Sequence, residues 1–340
     1  MYLRKQYQRH IWRKKAFIVW LLFLTVIFFL FSLHLGSSQM TMKESFMVLV
    51  GYGDSNMQSI VLHIRVPRII GGRLFVGVSI ALSGLIVQSA LNNPLASPST
   101  IGISAASAAG ANIALIVFAH FGIEASVSLT AISSFVMAMI CMLLVLGISS
   151  LRMVGKTTVI LAGTAFHALF MALITIIQYF ADDTELASAV SWTFGDLGRI
   201  HFDGIVIVGM VTTLSALIVY FLRWHMNAMD MGERAAHSLG VNTKRMRNIS
   251  IFIAALNTGV SVALVGIIGF VGLLAPQLTK RVIGEDKRFM LPATLLMGAC
   301  IVLFSDCIAR TLISPLTLPV GAVTSVFGAP LFLYILLKEG

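Results

Sequence analysis

The sequence predicts an all-α, polytopic membrane protein of about ten transmembrane helices, with both termini in the cytoplasm. Three observations lead to this fold class. Of the 340 residues, 58% are hydrophobic and only 11% are charged, a composition outside the range of soluble globular domains. Long apolar segments approach or exceed the roughly 20 residues that a spanning helix needs. Lys and Arg are concentrated in alternate loops, as the positive-inside rule requires.

The predicted spans follow one another with mostly short connections. The first follows six basic residues within 1–15. Its apolar run is long for a signal peptide and lacks a small-residue cleavage site, so we expect a retained span. The eighth is the shortest and is rich in glycine. The ten spans are 16–35, 68–91, 103–120, 127–148, 157–180, 204–222, 248–265, 267–279, 289–308 and 319–337.

Loop charges decide between nine and ten spans. Omitting the eighth span would move 280–288, with its four cations, to the outside. The net charge of +10 therefore reflects membrane orientation and not nucleic-acid binding. We expect a basic cytoplasmic N-terminus, 1–15, and a single transmembrane domain, 16–337, with a long inside loop at 223–247. With ten spans, 18 of the 24 Lys and Arg residues lie inside, in 1–15, 92–102, 149–156, 223–247, 280–288 and 338–340.

Small residues recur on one face of the second and last spans. Such residues let helices approach closely, and they can equally line a passage; we favour helix packing. The second span also opens on two arginines and exits into a polar turn, 92–98, that is interrupted by two prolines. A simple anchor needs none of these features, which favours a transport protein. The two small-residue faces consist of Gly77, Ala81, Gly84 and Gln88, and of Gly321, Ser325 and Gly328.

Three arginines are predicted at the outer rim. Arg65 and Arg68 stand at the outer mouth of the second span, and Arg310 near the outer end of the ninth. Guanidinium groups suit bidentate capture of carboxylates, so a docking site for an acidic protein is one interpretation. Interfacial anchoring is another. Asp306 lies one helical turn before Arg310, so an internal ion pair is a competing use of that arginine.

The inside loop contains a predicted short helix. Gly232 and Gly240 bracket about two turns, and Ala235, Ala236 and Leu239 supply a small apolar face. Such a helix fits a groove on a cytoplasmic partner. An ordinary amphipathic helix at the membrane surface is the alternative.

Chemistry-bearing motifs are missing from the sequence. Gly155-Lys156-Thr157-Thr158 resembles the end of a phosphate loop, but Ser150 occupies the position of its first glycine. No span has a mid-span carboxylate, and the three cysteines show no paired spacing. We therefore expect no catalytic residue, no metal site and no directly bound cofactor, with energy supplied by a partner.

The ordered motifs resemble those of permease subunits of ATP-binding-cassette importers for iron–siderophore complexes, haem and vitamin B12, the FecCD type of type II importer. The resemblance covers about residues 60–337. Its motifs are Arg65-x-Pro67-Arg68, Ser83-Gly84 with Gln88, Asn93-Pro94-Leu95-Ala96-x-Pro98 with Gly102, Leu161-Ala162-Gly163, Gly232-Glu233-x-x-Ala236-x-Ser238-Leu239-Gly240, Ile268-Gly269-Phe270-Val271-Gly272-Leu273 with Pro276 and Gly284, Asp306 with Arg310, and Leu318-Pro319-x-Gly321 with Gly328-x-Pro330.

The resemblance implies a permease dimer, homomeric or paralogous, with the pathway at its interface. It implies that Arg65, Arg68 and Arg310 meet acidic residues on an extracytoplasmic solute-binding lipoprotein. The loop 230–241 would dock into a cytoplasmic ATPase dimer that carries ATP and Mg. Lys156 and Thr157 would lie at a cytoplasmic gate. The family commonly has His and Arg where Gln277 and Lys280 stand, and an acid where Thr317 stands.

The expected function is import of a ferric siderophore across a bacterial cytoplasmic membrane by alternating access, with haem or vitamin B12 as alternative substrates. A membrane-embedded sensor or assembly subunit is the alternative of another class. An ion-gradient-driven transporter is a third, and the lack of a mid-span carboxylate weighs against it.

Overall fold

The computed structural model describes residues 2–35, 42–50, 52, 54–151, 155–313 and 316–338. Parts of three predicted connections lie outside the described residues, namely 36–41, 51 and 53 of the outer segment 36–62, 152–154 of the turn before the fifth span, and 314–315 of the segment before the last span. Within the described residues the chain is helical, and its one isolated β-bridge joins Ile313 and Leu316.

The first half of the chain contains seven α-helices and three π-helical segments among the described residues. Pro67, which has no N–H to donate, separates the first two π-helical segments, as expected where a regular ladder is interrupted. In order the elements are α1 (Tyr2–His34), α2 (Met42–Leu49), α3 (Ser55–Gln58), π-helices Ser59–Arg65 and Arg68–Phe75, α4 (Val76–Leu91), α5 (Ile103–Asn112), π-helix Ile113–Val117, α6 (Phe118–His120) and α7 (Val127–Ser150).

The second half has eight helices within the described residues. Several begin on a side-chain cap, such as Asn242, whose Oδ1 accepts from the Arg245 backbone N–H at 2.9 Å. The helices are α8 (Lys156–Tyr179), α9 (Asp183–Thr193), α10 (Phe202–Asp230), α11 (Glu233–Ser238), α12 (Thr243–Val265), α13 (Val271–Ile283), α14 (Lys287–Thr311) and α15 (Val320–Leu337).

The polytopic helical fold is confirmed, and each predicted span corresponds to helix. Among the described residues eight helices are long and apolar enough to cross a membrane, and α13 and α15 are shorter. Two boundaries were wrong. The sixth span extends as α10 to Asp230, so 223–230 is helix and not loop. The eighth starts at Val271 because Gly266 and Phe270 have φ of +79° and +62°, which no continuous helix accepts.

α4 occupies the centre of the bundle. Every residue from Val76 to Leu91 is buried except Val78. A Cβ added to Gly77 would lie 2.6 Å from the Gly298 carbonyl oxygen of α14, and one added to Gly84 would overlap the Gly272 carbonyl oxygen of α13. Helix α4 therefore packs backbone to backbone against two neighbours, which only glycine allows at these positions.

The turn after α4 re-enters the bundle. Asn92 ends α4 in the left-handed conformation, with φ of +46°. A Cβ at Gly163 of α8 would lie 2.6 Å from the Ile101 Cα, so the end of the turn packs directly on α8. Gly102, with φ of +87°, then starts α5. The motif from Asn93 to Gly102 and the motif Leu161-Ala162-Gly163 therefore lie in segments that pack against each other.

Large apolar side chains cover the outer faces of α8 and α15. Leu161 and Leu169 on α8, and Val326 and Leu333 on α15, are all more than half exposed. In a membrane-spanning chain such faces contact lipid or another subunit, because both are apolar.

We expect Gly84→Val to destabilise the protein by about 1–3 kcal/mol or more, because the new side chain overlaps the α13 backbone. Thermal unfolding of the detergent-purified protein measures this. Gly147→Val is the matched control, since Gly147 is an exposed residue of α7 and nothing lies within 4 Å of its added Cβ. Equal melting temperatures for the two variants would show that the α4–α13 approach is not close.

Candidate functional site

A buried ionic cluster joins three elements at the predicted outer end of the bundle. The Asp306 carboxylate lies 2.6 Å from the Arg73 Nε and also pairs with Arg310, one turn along α14. Ser32 of α1 donates its hydroxyl to the same carboxylate. Asp306 and Arg73 are 3% and 7% exposed. The ion pair between Asp306 and Arg310 that the sequence allowed is therefore present, and Arg73 is a partner that sequence reasoning missed.

Arg73 could have been found from its position. It is a charged residue inside an apolar span, and such residues pair within the bundle because lipid cannot solvate them. Asp306 is a carboxylate within a span in the described part of the chain. The sequence indicated both charges but not that helix packing brings them together.

Two of the predicted docking arginines converge on the end of α1. Arg65 Nη1 donates to the Leu33 carbonyl oxygen at 2.6 Å, and Arg310 Nη1 donates to the carbonyl oxygens of Ser32 and Leu35. Carbonyls in the last turn of a helix lack helical partners, so both arginines complete this terminus. Arg68 is exposed. The docking role remains a prediction, and Arg68 is the arginine best placed for it.

The predicted inside helix is present as α11. Gly232 and Gly240 flank it with φ of +101° and +79°, and Leu239 is 63% exposed. Ala236 is buried, whereas Glu233 and Ser238 are exposed. A short helix with one buried and one exposed face thus lies between two glycines of positive φ, and its docking role remains a prediction.

α11 is tied to the inner end of α7 through α12. Glu233 Oε1 accepts from Thr243 Oγ1 at 3.2 Å and lies 3.8 Å from Arg247 Nη1. Arg247 is buried and donates from Nε to Ser149 Oγ at 3.1 Å. A displacement of α11 can therefore reach the last turn of α7.

The predicted gate residues follow that turn. Lys156 begins α8 and is half-buried, and Thr157 next to it is exposed. Residues 152–154, between Ser150 and α8, lie outside the described residues. Lys156 and Thr157 thus lie at the N-terminal end of α8, the helix that follows α7, and their gating role remains a prediction.

A cavity of about 430 Å³ lies between the re-entrant turn, α8 and the segment before α13. Its lining is mostly apolar and includes Thr258, whose buried hydroxyl has no hydrogen-bond partner among the described residues. Sequence reasoning did not anticipate the cavity, although it noted the turn. The turn contributes Ser97, Pro98, Ser99 and Thr100.

The predicted small-residue faces pack beside this cavity. A Cβ added to Gly321 would overlap the Ile267 carbonyl oxygen. A Cβ added to Gly328 would lie 2.7 Å from the Phe270 Cβ. The Ser325 hydroxyl donates to the Gly321 carbonyl oxygen at 2.7 Å. On the other side, Gly84 packs against Gly272 of α13, whereas Gly77 and Ala81 pack against Gly298 of α14. Both small-residue faces therefore serve helix packing in the described structure.

Gln88 belongs to a polar contact at the cytoplasmic end of α4. Gln277 Nε2 donates to Gln88 Oε1 at 2.8 Å and to the Pro94 carbonyl oxygen at 3.1 Å. Gln277 thus joins α13 to α4 and to the turn that follows it. Lys280 Nζ lies 2.5 Å from Glu285, and this hydrogen bond holds the pKa of the Glu285 carboxyl below its usual range.

We expect Asp306→Asn to cost about 3–5 kcal/mol of stability, because it leaves two guanidiniums near the bundle interior without their anion. Unfolding of the purified protein measures the loss. Arg68→Gln, at an exposed arginine, should change stability by less than about 0.5 kcal/mol. Equal stability of both variants would contradict the assignment of Asp306 as the shared counter-ion.

Comparison with known proteins identifies the family. Residues 24–338 match the model of the FecCD transport family. A Methanocaldococcus jannaschii protein named as an ABC transporter permease is 41% identical over 337 residues, 96% of each chain. A hemin transport system permease protein of Yersinia pestis is 32% identical over 90% of this chain and 92% of its own.

A solved structure supports the same assignment. It is described as an inward-facing conformation of a metal-chelate type ABC transporter, and it superposes with a TM-score of 0.84 at 30% identity. The match covers 95% of this chain and 99% of the other. Sequence motifs, helical architecture and both comparisons agree, and the chain belongs to the FecCD transport family as a multi-pass membrane permease.

Proposed function

We propose that this chain is the permease subunit of an ATP-driven importer that moves an iron(III)–siderophore complex inward by alternating access. The observation that carries the proposal is the tie from the exposed helix α11 through Arg247 to Ser149. Such a tie lets an event at a cytoplasmic surface act on the ends of membrane-spanning helices. Haem and vitamin B12 are alternative cargoes, and a hemin permease among the relatives supports the first.

The energy source in this proposal is a separate cytoplasmic ATPase dimer carrying ATP and Mg. Support comes from the exposed α11 and from the sequence, which offers no phosphate loop. The permease itself then performs no chemistry. In this proposal iron would travel as its chelate.

A second permease subunit, identical or paralogous, would cover the exposed apolar faces of α8 and α15. Leu169 and Val326, 59% and 68% exposed, are representative of those faces. The cavity beside Thr164 and His167 of α8 would then lie near the subunit interface. On the side of the membrane opposite to α11, Arg68 would meet an acidic solute-binding lipoprotein.

The proposed location is a bacterial cytoplasmic membrane with both termini inside. The basic residues of 1–15 and of 280–288 would then face the cytoplasm, in accordance with the positive-inside rule. A sensor or assembly subunit would share this topology, but it would not accumulate substrate. Proteoliposomes containing the full complex and loaded with ATP distinguish the two by uptake of radioactive iron offered as siderophore, haem or another chelate.

We expect Glu233→Gln to lower uptake per ATP hydrolysed by about two- to fivefold, which corresponds to the free energy of a half-exposed ion pair. Arg247→Met should lower it further, because the hydrogen bonds to Ser149 are lost as well. Uptake and hydrolysis are measured together in proteoliposomes. Arg245→Gln, an exposed cation on the same helix, is the control. Unchanged coupling in both variants, with intact complexes, would refute the tie.

We expect Arg68→Glu to slow association of the solute-binding protein by about tenfold or more at low salt, because electrostatic steering reverses sign. Arg68→Gln should give an intermediate rate. Surface plasmon resonance on the reconstituted permease measures both, and the difference should shrink at high salt. Identical rates for the three proteins would remove Arg68 from the docking surface.

A further inference from the structure

A groove between α10 and α14 combines an apolar wall with a cationic end. We propose that it binds one anionic phospholipid of the cytoplasmic leaflet, with an acyl chain in the groove and the phosphate at Arg223. The groove is open, has a volume of about 370 Å³, and is lined by Phe75, Thr212, Ala216, Tyr220, Pro292 and Leu295 among others. Nothing in the transport cycle proposed above requires this site.

The groove follows the axis of α10. Its α10 wall extends from Thr212 to Tyr220, which is about 12 Å at the helical rise of 1.5 Å per residue. One leaflet of a bilayer offers about 15 Å of hydrocarbon. Phe75, Ala216 and Leu295 present hydrocarbon along this length, so the wall matches an acyl chain in both length and polarity.

Cations and aromatic rings lie at one end of the groove. The Arg223 guanidinium carbon lies 3.8 Å from the Tyr220 ring centre, and Arg288 lies 5.4 Å from the ring of Trp224. Tyr and Trp at this depth are typical of the membrane–water interface. Arginines stacked on aromatic rings are held in place and keep their outer N–H groups for a phosphate.

Arg223 is the stronger of the two phosphate ligands. Arg288 lies 2.6 Å from the Asp286 carboxylate, which satisfies part of its charge. Arg223 donates to the Tyr220 carbonyl oxygen at 2.8 Å and has no carboxylate within 4 Å among the described residues. Lys14 of α1 lies 5.4 Å from the centre of the Phe289 ring, which Arg288 also contacts, and adds a further cation.

The framework of the site is rigid. Lys287 Nζ lies 2.6 Å from the Asp230 carboxylate, and the Asn227 side chain accepts from the Lys287 backbone N–H at 2.9 Å. These bonds fix the end of α10 against the start of α14, directly beside Arg223 and Arg288.

Position and charge together select a lipid as the occupant. The wall is hydrocarbon at membrane depth, whereas the end is cationic on the side where 18 of 24 Lys and Arg residues are predicted. Anionic lipids are enriched in the cytoplasmic leaflet, and each nearby cation adds about 1 kcal/mol of attraction. A second permease subunit would instead occupy the faces of α8 and α15.

Native mass spectrometry of the full chain in detergent tests the proposal. Phosphatidylglycerol and phosphatidylcholine with the same acyl chains serve as probes. We expect the wild type to retain phosphatidylglycerol preferentially, and Arg223→Gln to weaken its binding about fivefold. Arg245→Gln, an exposed cytoplasmic arginine outside the groove, should leave binding unchanged.

Ala216→Trp is a second variant, which fills the groove without removing a charge. It should weaken the binding of both lipids, while melting of the protein reports that it still folds. Equal binding of the two lipids by the wild type, or phosphatidylglycerol binding that survives both Arg223→Gln and Ala216→Trp, would overturn the proposal.

Discussion

The close backbone approach of α4 to α13 and α14 is the constraint on which the rest of the bundle depends. Gly77 faces Gly298, and Gly84 faces Gly272, each at a distance that excludes a Cβ. In lipid the hydrophobic effect does not drive helices together, so van der Waals contact between small residues and buried hydrogen bonds must do so. With α4 in this position, the broken segment 266–270 and the re-entrant turn are both held against it.

Several Arg and Lys side chains donate hydrogen bonds to the carbonyl oxygens at helix ends, which have no donor within their own helix. At the predicted outer end, Arg65 and Arg310 donate to carbonyl oxygens at the end of α1, because these carbonyls have no helical partners. At the inner end, Lys244 and Arg247 do the same for α7 by donating to the carbonyl oxygens of Ser150 and Ser149. Arginine and lysine thus complete helix ends on both sides of the membrane, which reduces the number available for partners.

The sequence predicted more of the fold than of the site, and there is a physical reason for the difference. Span number, order and orientation follow from hydropathy and loop charge, which are local properties. The boundary at Val271 was missed because it depends on a positive φ at Phe270 that only tertiary packing enforces. Arg73 with Asp306, and Glu233 with Arg247, are contacts between distant parts of the chain, so no spacing rule reveals them.

The two ionic clusters differ in a way that assigns them different mechanical roles. Asp306 and Arg73 are buried, and separating such a pair costs about 3–5 kcal/mol when one charge is left without a partner. Glu233 is half exposed at 3.8 Å from Arg247, and pairs of that kind are worth about 0.2–1 kcal/mol. Thermal motion can therefore break and re-form the inner contact while the outer cluster stays closed. In the alternating-access cycle proposed above, the helices joined by the outer cluster would therefore move as one body, whereas the contact between Glu233 and Arg247 could change within the cycle.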